Sequence, residues 1–260
     1  MNLNRNIETR QIFKWSEKEQ ENFLNQAFPN IKPIKIQKRH EVFNIPCAFD
    51  TESTSFYKDG VKQACVYAWM FGMNGAVIMG RDLNEFEKFV QFLSRSLELQ
   101  ANKRHLIVYV HNLAWDFQFL LHRFKWENVF ALDSRKPCYA VTDSGIEFRC
   151  SYILSGMSLA ELGEHLRKYP IQKMVGDLDY TLKRHSGTPL TEKEIGYCLN
   201  DVLVVMAYIQ EKIETDGDIR RIQLTKTGYV RKACRDACLY ENGKHNTNAR
   251  KGRKYHNLMK

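Results

Sequence analysis

Apolar residues fall along the chain in short blocks, and the spacing within each block predicts an element. The run 42–49 is dense in β-formers and leads as a strand into Asp50. Two more apolar runs, 64–71 and 76–79, flank Gly72-Met73-Asn74-Gly75, the pattern of a hairpin. Beyond Asp82, the positions Leu83, Phe86, Phe89, Val90 and Leu93 have amphipathic-helix spacing, with Asp82 as N-cap. The run 105–110 is short, continuous and apolar, a buried strand, and 113–124 after it reads as helix. Further strands are expected at 130–132, 138–142 and 146–153, the last two joined by the turn Asp143-Ser144-Gly145. Ser158 is placed to cap a short helix over 159–166. Thr191-Glu192-Lys193-Glu194 is a capping box opening a long helix through Ile195, Val202, Val205 and Ile209.

Early strands followed by alternating helices and strands predict an α/β layered domain. The pattern divides the chain into three parts. Residues 1–40 form a polar, basic extension with a Lys32-Pro33 break, and 41–216 form the patterned body. Residues 217–260 read as helical and then strongly basic: Lys244, Arg250, Lys251, Arg253, Lys254 and Lys260 stand against the one acid Glu241.

Composition adds the solvent and the partner. A chain of 260 residues, 43% hydrophobic and 27% charged, can bury a sizeable core and reads as soluble and globular. Its formal charge of +9 suits an acidic partner, of which nucleic acid is the commonest, although a basic protein without such a partner carries the same balance. No run approaches the roughly 18 apolar residues that cross a bilayer, and residues 1–20 hold no apolar leader. The seven cysteines are scattered, odd in number and without zinc-ligand spacing. Reduced thiols in the cytoplasm, with no membrane association, are the expectation.

Three local patterns carry candidate chemistry. In Phe49-Asp50-Thr51-Glu52-Ser53, residues i and i+2 of an extended chain share a face, so Asp50 and Glu52 point the same way. Two such carboxylates repel unless a cation lies between them, and a hard divalent ion such as Mg²⁺ suits oxygen ligands. In Tyr109-Val110-His111-Asn112-Leu113-Ala114-Trp115-Asp116-Phe117, Asp116 falls on the first turn of a helix just past a buried strand. In Tyr197-Cys198-Leu199-Asn200-Asp201, Tyr197 and Asp201 are i, i+4 neighbours on one helix face. Taken singly, the first is also the pattern of solvated surface acids, the second of a helix cap, and the third of a part-buried tyrosine beside a surface aspartate. Together they offer four acids from three segments. Such a set suits two metal ions about 4 Å apart that activate water at a phosphodiester, with Tyr197 positioned to orient it.

These patterns resemble the Exo I, Exo II and Exo III motifs of the DEDD exonuclease superfamily, in the subtype with tyrosine in the third motif. More closely, 43–210 resembles the N-terminal 3′–5′ exonuclease domain of protein-primed family B DNA polymerases of phages and linear plasmids. Gly176-Asp177-Leu178-Asp179-Tyr180 adds to the likeness. The resemblance implies a ribonuclease H-like fold, a mixed central sheet flanked by helices. It implies Asp50, Glu52, Asp116 and Asp201 as ligands of two Mg²⁺ or Mn²⁺ ions, and Tyr197 as the residue that orients water. The family's contacts to the single-stranded DNA 3′ end fall on Ser53, Tyr109, His111, Asn112, Trp115, Phe119 and Ser151, with Tyr152 a further candidate. Trp115 and Phe119 are also spaced as helix-core aromatics.

One position departs from the family. A lysine often precedes the Gly-Asp-x-Asp-Tyr segment, where it holds the scissile phosphate. Here Val175 stands there and Lys173 lies two residues earlier, on the same face of an extended segment. Lys173 is therefore the candidate, with solvated surface lysine as the ordinary alternative. The palm motifs D-x-x-S-L-Y-P, K-x-x-x-N-S-x-Y-G and Y-x-D-T-D-S are missing, while 224–231 resembles the linker toward a palm. The expectation is the proofreading part of a truncated or split polymerase, with a palm in another chain and a terminal protein as possible partners. A stand-alone DEDD nuclease and a non-catalytic DNA-binding module are the alternatives.

Overall fold

The computed structural model describes residues 11–37, 40–174, 182–241 and 244–245. Its centre is built from one long hairpin. Strands β4 (Cys47–Lys58) and β5 (Val61–Met73) pair antiparallel along their whole length, closed at Asp59-Gly60, where both residues have positive φ (51° and 75°). That turn type matches strand twist, and Asp-Gly is the residue pair it favours. A second turn of the same kind, at Asn74-Gly75, leads into β6 (Ala76–Gly80).

The remaining strands extend this sheet. At one edge β1 (Gln11–Phe13) pairs parallel with β6, and α1 (Glu17–Ala27) follows it. The short strands β2 (Ile34–Gln37) and β3 (His40–Val42) form a side ladder. After β6 comes α2 (Leu83–Ser96), with Asp82 and Glu85 completing a capping box. Strand β7 (Arg104–Val110) then lies parallel to β4, and α3 (Leu113–Leu120) leaves its end. The sheet finishes with β8 (Trp126–Ala131), β9 (Pro137–Thr142) and β10 (Ile146–Cys150), in the order β1-β6-β5-β4-β7-β10-β9-β8. Among the described residues four α-helices follow, α4 (Ser151–Ser155), α5 (Leu159–His165), α6 (Glu192–Asp216) and α7 (Lys226–Leu239), and then a short antiparallel pair, Tyr240–Glu241 with Lys244–His245.

Strand alternation sorts the core into two layers. Phe49, Trp69 and Phe71 pack with Phe23, Phe86 and Phe89 from α1 and α2. Ala48, Ala68 and Met70 face the other way, onto Cys198, Val202 and Met206 of α6. Gly72 lies where α6 crosses β5: a Cβ there would meet Met206 Cε and Val202 Cγ1, each at 2.5 Å.

Several sequence expectations are corrected. The expected strand 42–49 is divided, β3 ending at Val42 and β4 starting at Cys47, and β4 does not end at Asp50 but runs on to Lys58, because β5 pairs with it, one bulge apart, to the Asp59-Gly60 turn. Helix α3 stops at Leu120 rather than 124, since Phe124 packs edge-on against Phe86 and Trp126 against Phe117. Residues 151–153 are the first turn of α4, not strand. The segment 11–37 belongs to the body rather than to an extension, with Phe23 and Ala27 in the core. Gly176–Tyr180 and Val175 lie outside the described residues, as does most of the basic tail.

Candidate active site

β4 delivers the first two acids. Asp50 and Glu52 alternate with Phe49 and Thr51, so they share the α6 side of the sheet while Thr51 points to the opposite side. A bulge between Glu52 and Ser53 interrupts the ladder immediately after the pair. The third acid comes from α3. Its N-cap, Asn112, holds a left-handed conformation (φ 62°) that swings the chain sharply from strand to helix, and buried Asp116 is turned back toward β4. Thr51 fixes it there: its backbone N–H and its hydroxyl both donate to Asp116 Oδ1, at 3.0 and 2.6 Å.

The fourth acid, Asp201, stands with Tyr197 on the buried face of α6. Asn200 on the same helix accepts a hydrogen bond from the Met174 N–H at 2.7 Å, docking the incoming segment. This places Lys173 Nζ 3.8 Å from Asp201 Oδ2 and 5.8 Å from the centre of the Tyr197 ring. The two-residue offset from the family position thus does not take Lys173 away from the acids.

The electrostatics show a cluster short of positive charge. Burial pushes the Asp50 carboxyl well above its ordinary range; Asp116, Glu52 and Asp201 push it further, and Lys173 opposes them. Glu52 is driven up to about 7, by burial first and then by Asp201, with the Cys198 thiol countering. Asp116 rises to about 7 through burial, against its bonds from Thr51. Asp201 rises to about 6 through burial, with Lys173 holding it down. Asp201 Oδ1 is buried and has no hydrogen-bond partner among the described residues. Among the described residues no group of three or more His, Cys, Asp or Glu side chains stands close enough, as placed, to hold an ion. Four oxygen donors, mutual repulsion and an unpartnered buried oxygen nevertheless fit hard divalent cations.

The rim separates the other candidates. Trp115 is 47% exposed and meets Phe119 edge-on at 5.9 Å, so Trp115 offers a free face while Phe119 backs it from the core side. Asn112 is exposed and Ser53 partly so. His111 accepts or donates at 3.1 Å to Ser151 Oγ and packs edge-on to Tyr152, itself exposed. Burial, reinforced by Lys173, lowers His111 to about 4, so the ring is neutral at pH 7.

Two residues expected on the DNA are elsewhere. Tyr109 is only 1% exposed, because its position on β7 faces α6, and its side chain is core. Ser151 is fully buried at the start of α4, where it braces His111 rather than reaching a strand. Sequence reasoning also missed Thr51, Cys198 and Asn200 as supports of the acids. All three sat inside the quoted motifs, and for Thr51 a polar residue between two acids on a strand was the available signal.

With this geometry in view, the comparisons with known proteins are specific about family and fold. The family model described as 3′–5′ exonuclease matches residues 29–218. Phi29 DNA polymerase complexed with single-stranded DNA superimposes with a TM-score of 0.59 at 16% identity, covering 75% of this chain and 35% of that one. The same polymerase complexed with primer-template DNA gives 0.57 at 18%, again over 75% of this chain and 35% of that one. The chain therefore spans about a third of the polymerases it matches. No curated protein sequence matches it. The fold is that of ribonuclease H-like exonucleases.

Proposed function

This chain belongs to the 3′–5′ exonuclease family, and from that premise we propose that it removes nucleotides from the 3′ end of single-stranded DNA with two Mg²⁺ or Mn²⁺ ions. The observation that carries the reading is the cluster of Asp50, Glu52, Asp116 and Asp201, gathered from β4, α3 and α6 with three of the four carboxyls at about 6 to 7. These four residues would hold the ions. When bound, divalent cations supply the positive charge that makes a water nucleophilic near neutral pH and stabilises the leaving oxygen.

The chain's own residues do the rest. Tyr197, beside Asp201 on one helix face, orients the attacking water. Lys173, 3.8 Å from Asp201, neutralises the scissile phosphate as its charge develops. The exposed face of Trp115 stacks on a terminal base, an interaction of about 1–3 kcal/mol per base. Neutral His111, with Asn112 and Ser53, supplies hydrogen bonds to the strand, while Phe119 holds Trp115 in place.

The finer assignment is the proofreading portion of a protein-primed family B DNA polymerase. The spacing of its motifs, the 224–231 segment and the likeness in fold to Phi29 DNA polymerase support it. A palm in another chain and a terminal protein are the partners this assignment brings. The compartment it brings is the cytoplasm; among the described residues no helix is long and apolar enough to cross a membrane.

The test uses 5′-labelled single-stranded DNA and matched RNA, with Mg²⁺ or Mn²⁺, EDTA, and Asp50→Ala with Glu52→Ala. A DNA ladder shortening from the 3′ end, abolished by EDTA and by the double variant, is expected. Retained binding without metal-dependent shortening would leave a binding module, and preferential trimming of RNA would point to a stand-alone nuclease.

A further inference from the structure

A groove of about 680 Å³ runs between α7 and the end of β8. Its apolar side carries Phe130 and Leu132, which are 45% and 56% exposed, and Ile153 of α4. Its other wall carries Lys226, Arg231, Lys232 and Arg235, and among the described residues no acid lines it. Arg231 and Arg235, one helical turn apart, share a face of α7. Arg235 leans on Asp236 at 3.4 Å; among the described residues, no carboxylate pairs with the other three.

The groove opens at the same end of the sheet as the acids. Cross-strand register runs from Phe130 through Tyr139, Arg149 and Tyr109 to Ala48, two residues before Asp50. Four strand spacings put Phe130 roughly 19 Å from β4. α4 joins the two places: Tyr152 packs against His111 at the catalytic rim, and Ile153, the next residue, lines the groove. Lys226 lies against the end of α4, its Cδ 3.3 Å from where a Cβ of Gly156 would stand.

We propose that this groove carries the single-stranded DNA upstream of the 3′ end being trimmed, a reading that rests on the exonuclease assignment. Lys226, Arg231 and Lys232 hold its phosphates, and its bases lie over Phe130 and Leu132. Unopposed cations along one wall ask for a polyanion. An apolar floor suits the faces of unstacked bases, which a duplex keeps covered. Continuity with the catalytic rim gives that strand a path to the acids.

The test measures binding by fluorescence anisotropy in EDTA, for strands of about 4 and about 12 nucleotides, across a salt series. The wild-type chain should prefer the longer strand. The triple variant Lys226→Gln, Arg231→Gln, Lys232→Gln should lose that preference, and its log K against log salt slope should become shallower by about 2. Its trimming of the short strand in Mg²⁺ should match wild type, which also verifies its fold. Phe130→Ser should weaken long-strand binding with no change in slope. A triple variant that keeps both preference and slope would overturn the proposal, as would a loss of duplex binding as large as that of single strand. Failure of the wild type to trim any strand is a separate readout, and would remove the exonuclease reading while leaving the length-dependent binding to be judged by itself.

Discussion

Thr51 gives Asp116 two donors on one oxygen, which an acid surrounded by acids cannot obtain from its own cluster. A carboxylate held from one side keeps its other oxygen aimed in a fixed direction, so Thr51 is a positioning residue. Thr51→Val keeps the β-branched shape and removes only the hydroxyl bond. We expect trimming activity to fall about 10–100-fold, with stability lowered by only about 1 kcal/mol. Metal titration of the reaction rate alongside a urea midpoint checks this; a wild-type rate would remove Thr51 from the machinery. At this scale the acids were legible in the sequence because each is fixed by a short local pattern. The burial of Ser151 was not, because a motif specifies residue type and order but not which neighbours cover a side chain; that of Tyr109 was already implied by the buried strand 105–110.

At the scale of elements, α6 does the most. Thr191 and Glu194 close its N-terminus, and from Tyr197 to Gln210 it is buried without interruption. One turn of it carries Tyr197, Cys198 and Asp201, so its height over β4 and β5 sets the depth of the fourth acid. Gly72 lets it come that close. Gly72→Ala forces Met206 and Val202 aside and should cost about 1–3 kcal/mol, lowering trimming activity with it because Asp201 rides on the displaced helix. Thermal unfolding and a rate measured below the transition decide the matter; an unchanged melting temperature would mean the contact relaxes freely. Capping residues and 3.6-residue periodicity predicted α2, α5 and α6. The long hairpin was underestimated although Asp59-Gly60 marks its turn, because its outer half is exposed and lacks the apolar alternation of a strand.

At the scale of the molecule, one polar network centred on a buried carboxylate of the sheet makes stability depend on pH. Glu147 of β10 receives Arg149 Nε at 2.7 Å and meets His105 Nδ1 at 2.9 Å. Burial would raise its carboxyl, but Arg149 and His105 more than offset this and hold it at about 2. A carboxyl depressed in the folded state contributes stability that is complete above its unfolded value of about 4.3 and is lost as pH falls through 2. The loss amounts to about 3 kcal/mol at roughly 1.4 per unit. His105 runs oppositely: burial lowers it, but Glu147 and the Ala101 carbonyl raise it by more, so its share is complete below its usual value and is lost as pH rises through the raised one. Glu147→Gln should flatten the acid limb between pH 5 and 2 in denaturant titrations. It should also lower stability at pH 7 by about 3 kcal/mol, since the largely covered Arg149 guanidinium loses its charged partner. An acid limb as steep as wild type would place the sensitivity elsewhere.

What the sequence determined by itself was whatever a few consecutive residues decide: strand and helix periods, caps, turns, and the order of the acids along the chain. Those signals depend on backbone geometry, which repeats every two or 3.6 residues and can be read without the rest of the molecule. Tertiary structure alone decided which faces are covered and which distant groups meet. It bonded Thr51 to Asp116 across 65 residues, drew Lys173 to Asp201 by way of Asn200, and set the basic side of α7 opposite Phe130. Burial and charge compensation arise between segments, so their energies exist only once the sheet has brought those segments together.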